Sequence, residues 1–132
     1  MSGDRAATDL GGRRTLAERQ AALVAALVAG APVPPGFDPR LIDAARRALL
    51  RKRAGEVARH WPLLAASFGA RWTVTFAGWA DGRPTQGSFA DGLALARSLP
   101  LTGAAAEELA EREAALRPRG GVLHRLSRAL RR

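Results

Sequence analysis

The chain has 132 residues, 47% of them hydrophobic and 25% charged, a size and balance that fit one small domain with tails and leave little room for two. It contains no cysteine, which removes a disulfide framework, a thiolate zinc site, an iron–sulfur cluster and a cysteine nucleophile together. No apolar run approaches the roughly 18 residues of a membrane span, and the opening MSGDRAATDL lacks the apolar stretch of a secretory signal, so a cytoplasmic protein is expected.

The formal net charge is +9, yet residues 117–132 alone hold six arginines and no acid, leaving +3 (9 − 6) for the first 116. The basic residues are arginines apart from Lys52, in a chain rich in alanine and glycine, a bias that GC-rich codon usage also produces. Total charge is therefore weak evidence for a polyanion partner.

Residues 1–14 are polar, aperiodic and end in Gly-Gly-Arg-Arg, which reads as a flexible arm. A helical domain is expected over residues 15–116. Thr15 and Glu18 have the spacing of a capping box, and Leu16, Leu23 and Leu27 then form the apolar stripe of a first helix that stops at Gly30. Pro32, Pro34 and Pro35 make a stiff connector. Asp38 followed by Pro39 is a strong helix start, and the helix it opens runs to about Trp61. Its apolar residues change sides along its length: Leu41, Ile42, Ala45, Ala48 and Leu49 lie on one face, and Leu50, Ala54, Val57 and Trp61 on another. One central helix serving two packing partners is the expectation, with Gly55 as a weak point between them.

Pro62 opens a short helix to Phe68, closed by Gly69, and Arg71 to Ala80 forms the next. There Trp72, Phe76 and Trp79, at spacings of four and three, share a face suited to the core. A turn-rich loop, residues 81–87, precedes a helix capped by Ser88 that runs to Leu99, with Phe89, Leu93 and Ala96 inward. Pro100 breaks it, and Thr102 caps a last domain helix to about Leu116. Val122 to Arg132 reads as a short basic amphipathic tail helix, open to docking on the bundle, on an anionic partner or membrane surface, or to remaining unfolded in isolation. The fold class is all-α, a compact bundle of five or six helices.

Reactive groups are few. Glu56 and His60 sit one turn apart, but no third or fourth metal ligand accompanies them, so an ordinary surface contact is expected and no metal or cofactor. His124 falls in the arginine-rich tail. No nucleophile elbow, phosphate loop or paired carboxylates stand out, and Glu107, Glu108, Glu111 and Glu113 read as solvated charges that complement a helix dipole. The chain is expected not to be an enzyme. Two features suit binding instead. Arg46, Arg47, Arg51 and Arg53 on the central helix carry guanidinium groups able to grip carboxylates or phosphates, unless some pair with acids inside the bundle. Arg83 and Gln86 stand in the polar loop, which either contacts a partner or only connects two helices.

The order Leu50-Arg51, Trp61-Pro62, Leu64, Phe68-Gly69, Trp72, the Pro84 loop and Gly92 resembles a helical N-terminal domain once given a DNA-binding label, found in proteins encoded beside multinuclear non-haem iron-dependent oxidative enzymes. The segments LLRKRAGEVARHWP and VPPGFDP are more similar still to a variant fused to, or encoded beside, such enzymes. The resemblance covers about residues 16–100. It implies a partner protein in the maturation of ribosomally made, modified (RiPP) peptides, one that binds the precursor peptide and the iron oxidase, while the iron ligands belong to the oxidase. Many relatives add a C-terminal domain that pairs a strand with the peptide leader, and residues 101–132 are too short and too helical for that, so groove binding by helices takes its place. The expected function is thus a non-catalytic adaptor for an iron-dependent oxidase and its precursor peptide. The alternative is a DNA-binding protein that holds phosphates through arginine-rich helices.

Overall fold

The computed structural model describes residues 15–118, and they are all-α: six α-helices and one 3-10 turn, with no strand among the described residues. The expected arm at residues 1–14 and nearly all of the tail beyond residue 116 lie outside the described residues.

Helix α1 spans Leu16–Val28 and opens with the capping box: Glu18 N donates to Thr15 Oγ1 at 3.1 Å and Thr15 N to Glu18 Oε2 at 3.2 Å. Helix α2, Pro39–His60, begins where Asp38 accepts from Arg40 N at 2.9 Å, and it runs unbroken through Gly55. Helix α3 is Pro62–Phe68; the 3-10 turn Gly69–Arg71 leads into α4, Trp72–Ala80. Helix α5 is Ser88–Arg97 and α6 is Gly103–Ala115.

Helix α2 is the central element, packed against α1, α4 and α5. It serves more than one packing partner, as its changing apolar face implies, although most of the first of the two expected faces is exposed. The core gathers Leu50, Ala54, Val57, Trp61, Leu64, Trp72, Phe76, Ala80, Leu95 and Ala96. Phe68, Trp72, Phe76 and Trp79 follow one another at centroid separations of 6.1, 5.7 and 5.9 Å, so the aromatic stripe is core, as its spacing suggests. Each buried indole also finds an acceptor: Trp61 Nε1 donates to Phe89 O at 3.1 Å and Trp72 Nε1 to Ala54 O at 2.9 Å, which removes the cost of burying the N–H.

Five expectations are corrected. Leu16 and Leu41 are 70% and 69% exposed, because α1 rests on α2 only toward its C-terminal half; Ala26 is its buried residue. In the first half of α2 only Ile42 is buried, and Ala45 and Ala48 face solvent. Helix α5 is capped at Gly87, whose φ of 103° turns the chain, so Ser88 is its first helical residue. Its buried face is Asp91, Gly92, Leu95 and Ala96, rotated from the expected one, with Phe89 and Leu93 half-buried.

Glu108 is the fifth correction. It is 2% exposed, and its carboxylate accepts from Leu63 N and Leu64 N, both at 2.9 Å. Those amides open α3, whose own cap residue, Trp61, offers no side-chain acceptor and whose first residue, Pro62, has no N–H. The next amide, Ala65 N, already donates to Trp61 O at 3.0 Å. One carboxylate from α6 therefore completes the hydrogen bonding of the α3 N-terminus and ties the two helices together.

Gly92 makes the closest approach in the core. A Cβ there would stand 2.2 Å from Trp61 Cδ1, and the ring is fully buried, with no room to withdraw. Gly92→Ala should lower stability by about 1–3 kcal/mol through overpacking, read as a fall in the urea midpoint. An unchanged midpoint would mean that the Trp61 pocket is looser than its contacts indicate.

Candidate functional site

The arginines of the central helix divide by direction. Arg46 and Arg53, seven residues apart, project from nearly the same side of α2. Arg46 donates from Nε and Nη2 to Ala26 O at 3.0 and 2.7 Å. That carbonyl lies in the last turn of α1, where acceptors lack intrahelical donors and a cation offsets the negative end of the dipole. Arg46 is thus the clamp that fastens α1 to α2.

Arg53 is sunk further, its side chain 13% exposed. It donates from Nη1 to Arg83 O at 2.8 Å and from Nη2 to Asp91 Oδ2 at 3.2 Å, and its guanidinium carbon lies 5.7 Å from the Phe76 ring centre. Asp91, 3% exposed, also accepts from Thr85 Oγ1 at 2.6 Å and from Gln86 N at 2.9 Å. Thr85 Oγ1 in turn accepts from Gly87 N at 3.0 Å. The Arg53–Asp91 pair therefore fixes the loop before α5 to the central helix, and the loop is more than a tether.

The other candidates are placed differently. Arg47 is exposed and pairs with Asp43 one turn earlier. Arg51 is exposed and its side chain makes no hydrogen bond or ion pair with another described residue; at 100° per residue it points roughly 160° away from Arg53 around α2. Arg83 lies 4.8 Å over the Trp79 ring in a cation–π contact. The Gln86 side chain is exposed in the loop. Arg47 and Arg51 thus form one cationic strip on the outer face of α2, while Arg83 and Gln86 belong with Arg46 and Arg53 on a different side.

On that second side lies a cavity of about 170 Å³ between the end of α1, the middle of α2 and the start of the loop after α4. Leu27, Val28, Leu49 and Leu50 form its apolar wall, and Arg46, Lys52, Arg53, Glu56, Asp81 and Thr85 supply its polar lining. Gly82, which also lines it, is approached closely by Gly30: a Cβ on Gly30, where φ is 71°, would lie 3.2 Å from Gly82 Cα. Only a residue without a side chain permits that approach at that backbone angle. The cavity escaped sequence reasoning, although Arg46, Leu49, Arg53 and Glu56 share a helical period and could have been grouped as one face.

Glu56 and His60 do not join a larger ligand set: among the described residues no three His, Asp or Glu side chains gather as metal ligands would. His60 is exposed and meets the Phe89 ring edge-on at 6.3 Å. Among the described residues no helix is long and apolar enough to cross a membrane.

Comparison with known proteins places this geometry in a family. A family model described as SCO6045-like, C-terminal domain, matches residues 17–101, from the first turns of α1 to the residue after Pro100. A UPF0276 protein of Streptomyces avermitilis is 42% identical over 92 residues, which are 69% of this chain and 19% of that relative. The chain thus spans about a fifth of the length of the curated relative it matches. No solved structure matches.

Proposed function

The chain belongs to the SCO6045-like C-terminal domain family, and we propose that it is a non-catalytic helical adaptor, docking on a multinuclear iron-dependent oxidase and helping to recruit the precursor peptide that the oxidase modifies. The observation that carries the reading is the proportion of the match. The same domain occurs in the Streptomyces avermitilis UPF0276 protein as 19% of a much longer chain, so in that protein it is held permanently beside a larger unmatched portion. Covalent linkage of this kind supplies a high effective concentration for contact between the domain and the rest of that protein. The resemblance of Leu49–Pro62 to domains found with iron oxidases supplies the class of partner.

The division of the arginines supports this reading. Arg46 and Arg53 are engaged inside the bundle, whereas Arg47 and Arg51 stand on its surface among exposed Ala44, Ala48 and Gly55. A helix face that carries cations on small residues lets a partner approach closely and meet guanidinium groups with carboxylates. The two most buried carboxylates, Asp91 and Glu108, are occupied by backbone amides and internal side chains, a structural use that fits a binding protein.

Co-expression with an iron oxidase encoded beside it, followed by size-exclusion chromatography with and without the precursor peptide, tests the proposal. Co-elution is expected; separate elution under both conditions refutes it. The same outward arginines favour the second reading, phosphate binding on DNA. For that reading, affinity for a duplex should fall about a thousandfold or more between 50 and 200 mM salt, and binding should persist without the oxidase. The adaptor reading predicts no retarded duplex at 150 mM salt.

A further inference from the structure

We propose that the basic C-terminal segment, residues 122–132, folds back as a helix onto the outer face of α6, with its apolar side toward α6 and Leu63. Glu107 and Glu111, one turn apart on α6, are exposed, and their side chains make no hydrogen bond or ion pair with another described residue. Their neighbours are already engaged: Glu113 meets Arg97 at 2.9 Å and Glu108 is turned inward. The two glutamates thus form an anionic strip in a chain of net charge +9. Ala110 and Ala114 are exposed beside them, so a second helix can approach closely. Leu63 of α3 is 45% exposed and adjoins α6, because its amide donates to Glu108 at 2.9 Å. Leu116, just past the end of α6, is 52% exposed. An apolar border therefore surrounds the two acids.

The place where the described residues stop selects the occupant. They end at Pro118, directly after α6, and residues 119–132 carry five arginines and no acid. Pro118 and Val122 can lie at most about 14 Å apart, and Gly120 and Gly121 between them let the chain reverse. Val122, Leu126 and Leu130 share one side of a helix. Their span is about 12 Å along its axis, against about 11 Å from Glu107 to Ala114. In the antiparallel register that a short reversal sets, Arg125 falls opposite Glu111, while Arg128 and Arg132 bracket Glu107, so opposite charges meet along the contact. A helix of this length is marginal alone in water; α6 supplies the packing, and the short tether holds the segment at high local concentration beside it. The cationic strip of Arg47 and Arg51 on α2 repels the same segment. This contact is independent of the adaptor reading.

Because the chain contains no cysteine, His124→Cys in the full chain accepts a single nitroxide label on the polar side of the segment. In the amide NMR spectrum the label should broaden Leu63, Ala110 and Ala114 and leave residues 20–24 of α1 sharp. Labelled chain mixed with unlabelled, isotope-enriched chain should show no broadening, since the contact forms within one molecule. Glu107→Arg with Glu111→Arg, both at exposed positions, should lower the docked-to-free ratio about tenfold. Adding Arg125→Glu and Arg128→Glu should restore the broadening. Absence of broadening on α6, broadening centred on another face, or broadening that the charge reversal leaves unchanged or the second pair fails to restore overturns the proposal. Broadening in the mixed sample does so as well, and gives the α6 face to a second copy. So does a segment that gains helical chemical shifts only on addition of phosphatidylglycerol vesicles or a DNA duplex, which would give it to an anionic partner instead.

Discussion

Asp91→Ala should destabilise the protein by about 3–5 kcal/mol, the cost of leaving a buried partner charge without its counter-ion. The Arg53 guanidinium would lose Asp91, its one ion-pair partner among the described residues, within a pocket bordered by the Phe76 ring. Thr85 Oγ1 and Gln86 N would lose their acceptor in the same step. Urea unfolding followed by circular dichroism measures the change. The double variant Arg53→Met with Asp91→Leu should cost clearly less than Asp91→Ala alone, since replacing both members of a buried pair with apolar side chains removes the unpaired charge. A loss below about 1 kcal/mol for Asp91→Ala would mean that Arg53 reaches solvent once released.

Glu108→Ala should also be costly, about 1–4 kcal/mol, since the buried Leu64 N and the part-buried Leu63 N each lose an acceptor and an unsatisfied buried donor costs about 1–3 kcal/mol. Substitution by Gln separates the contributions: its single carbonyl can serve Leu63 N or Leu64 N but not both in the present geometry, so Glu108→Gln should fall between the wild type and Glu108→Ala. Hydrogen exchange gives a local reading. The Leu63 and Leu64 amides should lose protection in both variants relative to amides within α2. Unchanged protection at those two positions would show that α3 keeps its first turn without help from α6.

These two carboxylates also mark where the sequence is hardest to read. The helix starts at Thr15–Glu18 and Asp38–Pro39 and the Trp72–Phe76–Trp79 stripe are written in spacings of one to four residues, so local periodicity and capping rules recover them. Glu108 finds its partners 44 and 45 residues away, and Asp91 meets Arg53 across 38. Nothing in the four glutamates of α6 distinguishes the one that turns inward, because that depends on where α3 lies in space. A buried acid in an amphipathic pattern reads as a surface position until the partner helix is in place.

The candidate binding residues follow the same logic. Six cationic and polar positions can be picked from the sequence, but which are engaged internally depends on tertiary contacts: Arg46 reaches a carbonyl 20 residues earlier and Arg53 a loop 30 residues later. Arg47 and Arg51 keep their outward direction because α2 presents its alanines and Gly55 to solvent there. The cavity joins segments from three parts of the chain, so only its α2 wall leaves a periodic signature.

Calorimetric titration of the full chain into the Streptomyces avermitilis UPF0276 protein from which the matched 92-residue segment has been deleted measures whether this domain acts as a docking partner. The account predicts saturable one-to-one binding, weakened about tenfold by Arg51→Ala with the melting temperature unchanged, in line with loss of an exposed charge-assisted contact. Absence of binding at every concentration reached, or a melting-point drop with full affinity in Arg51→Ala, would contradict it.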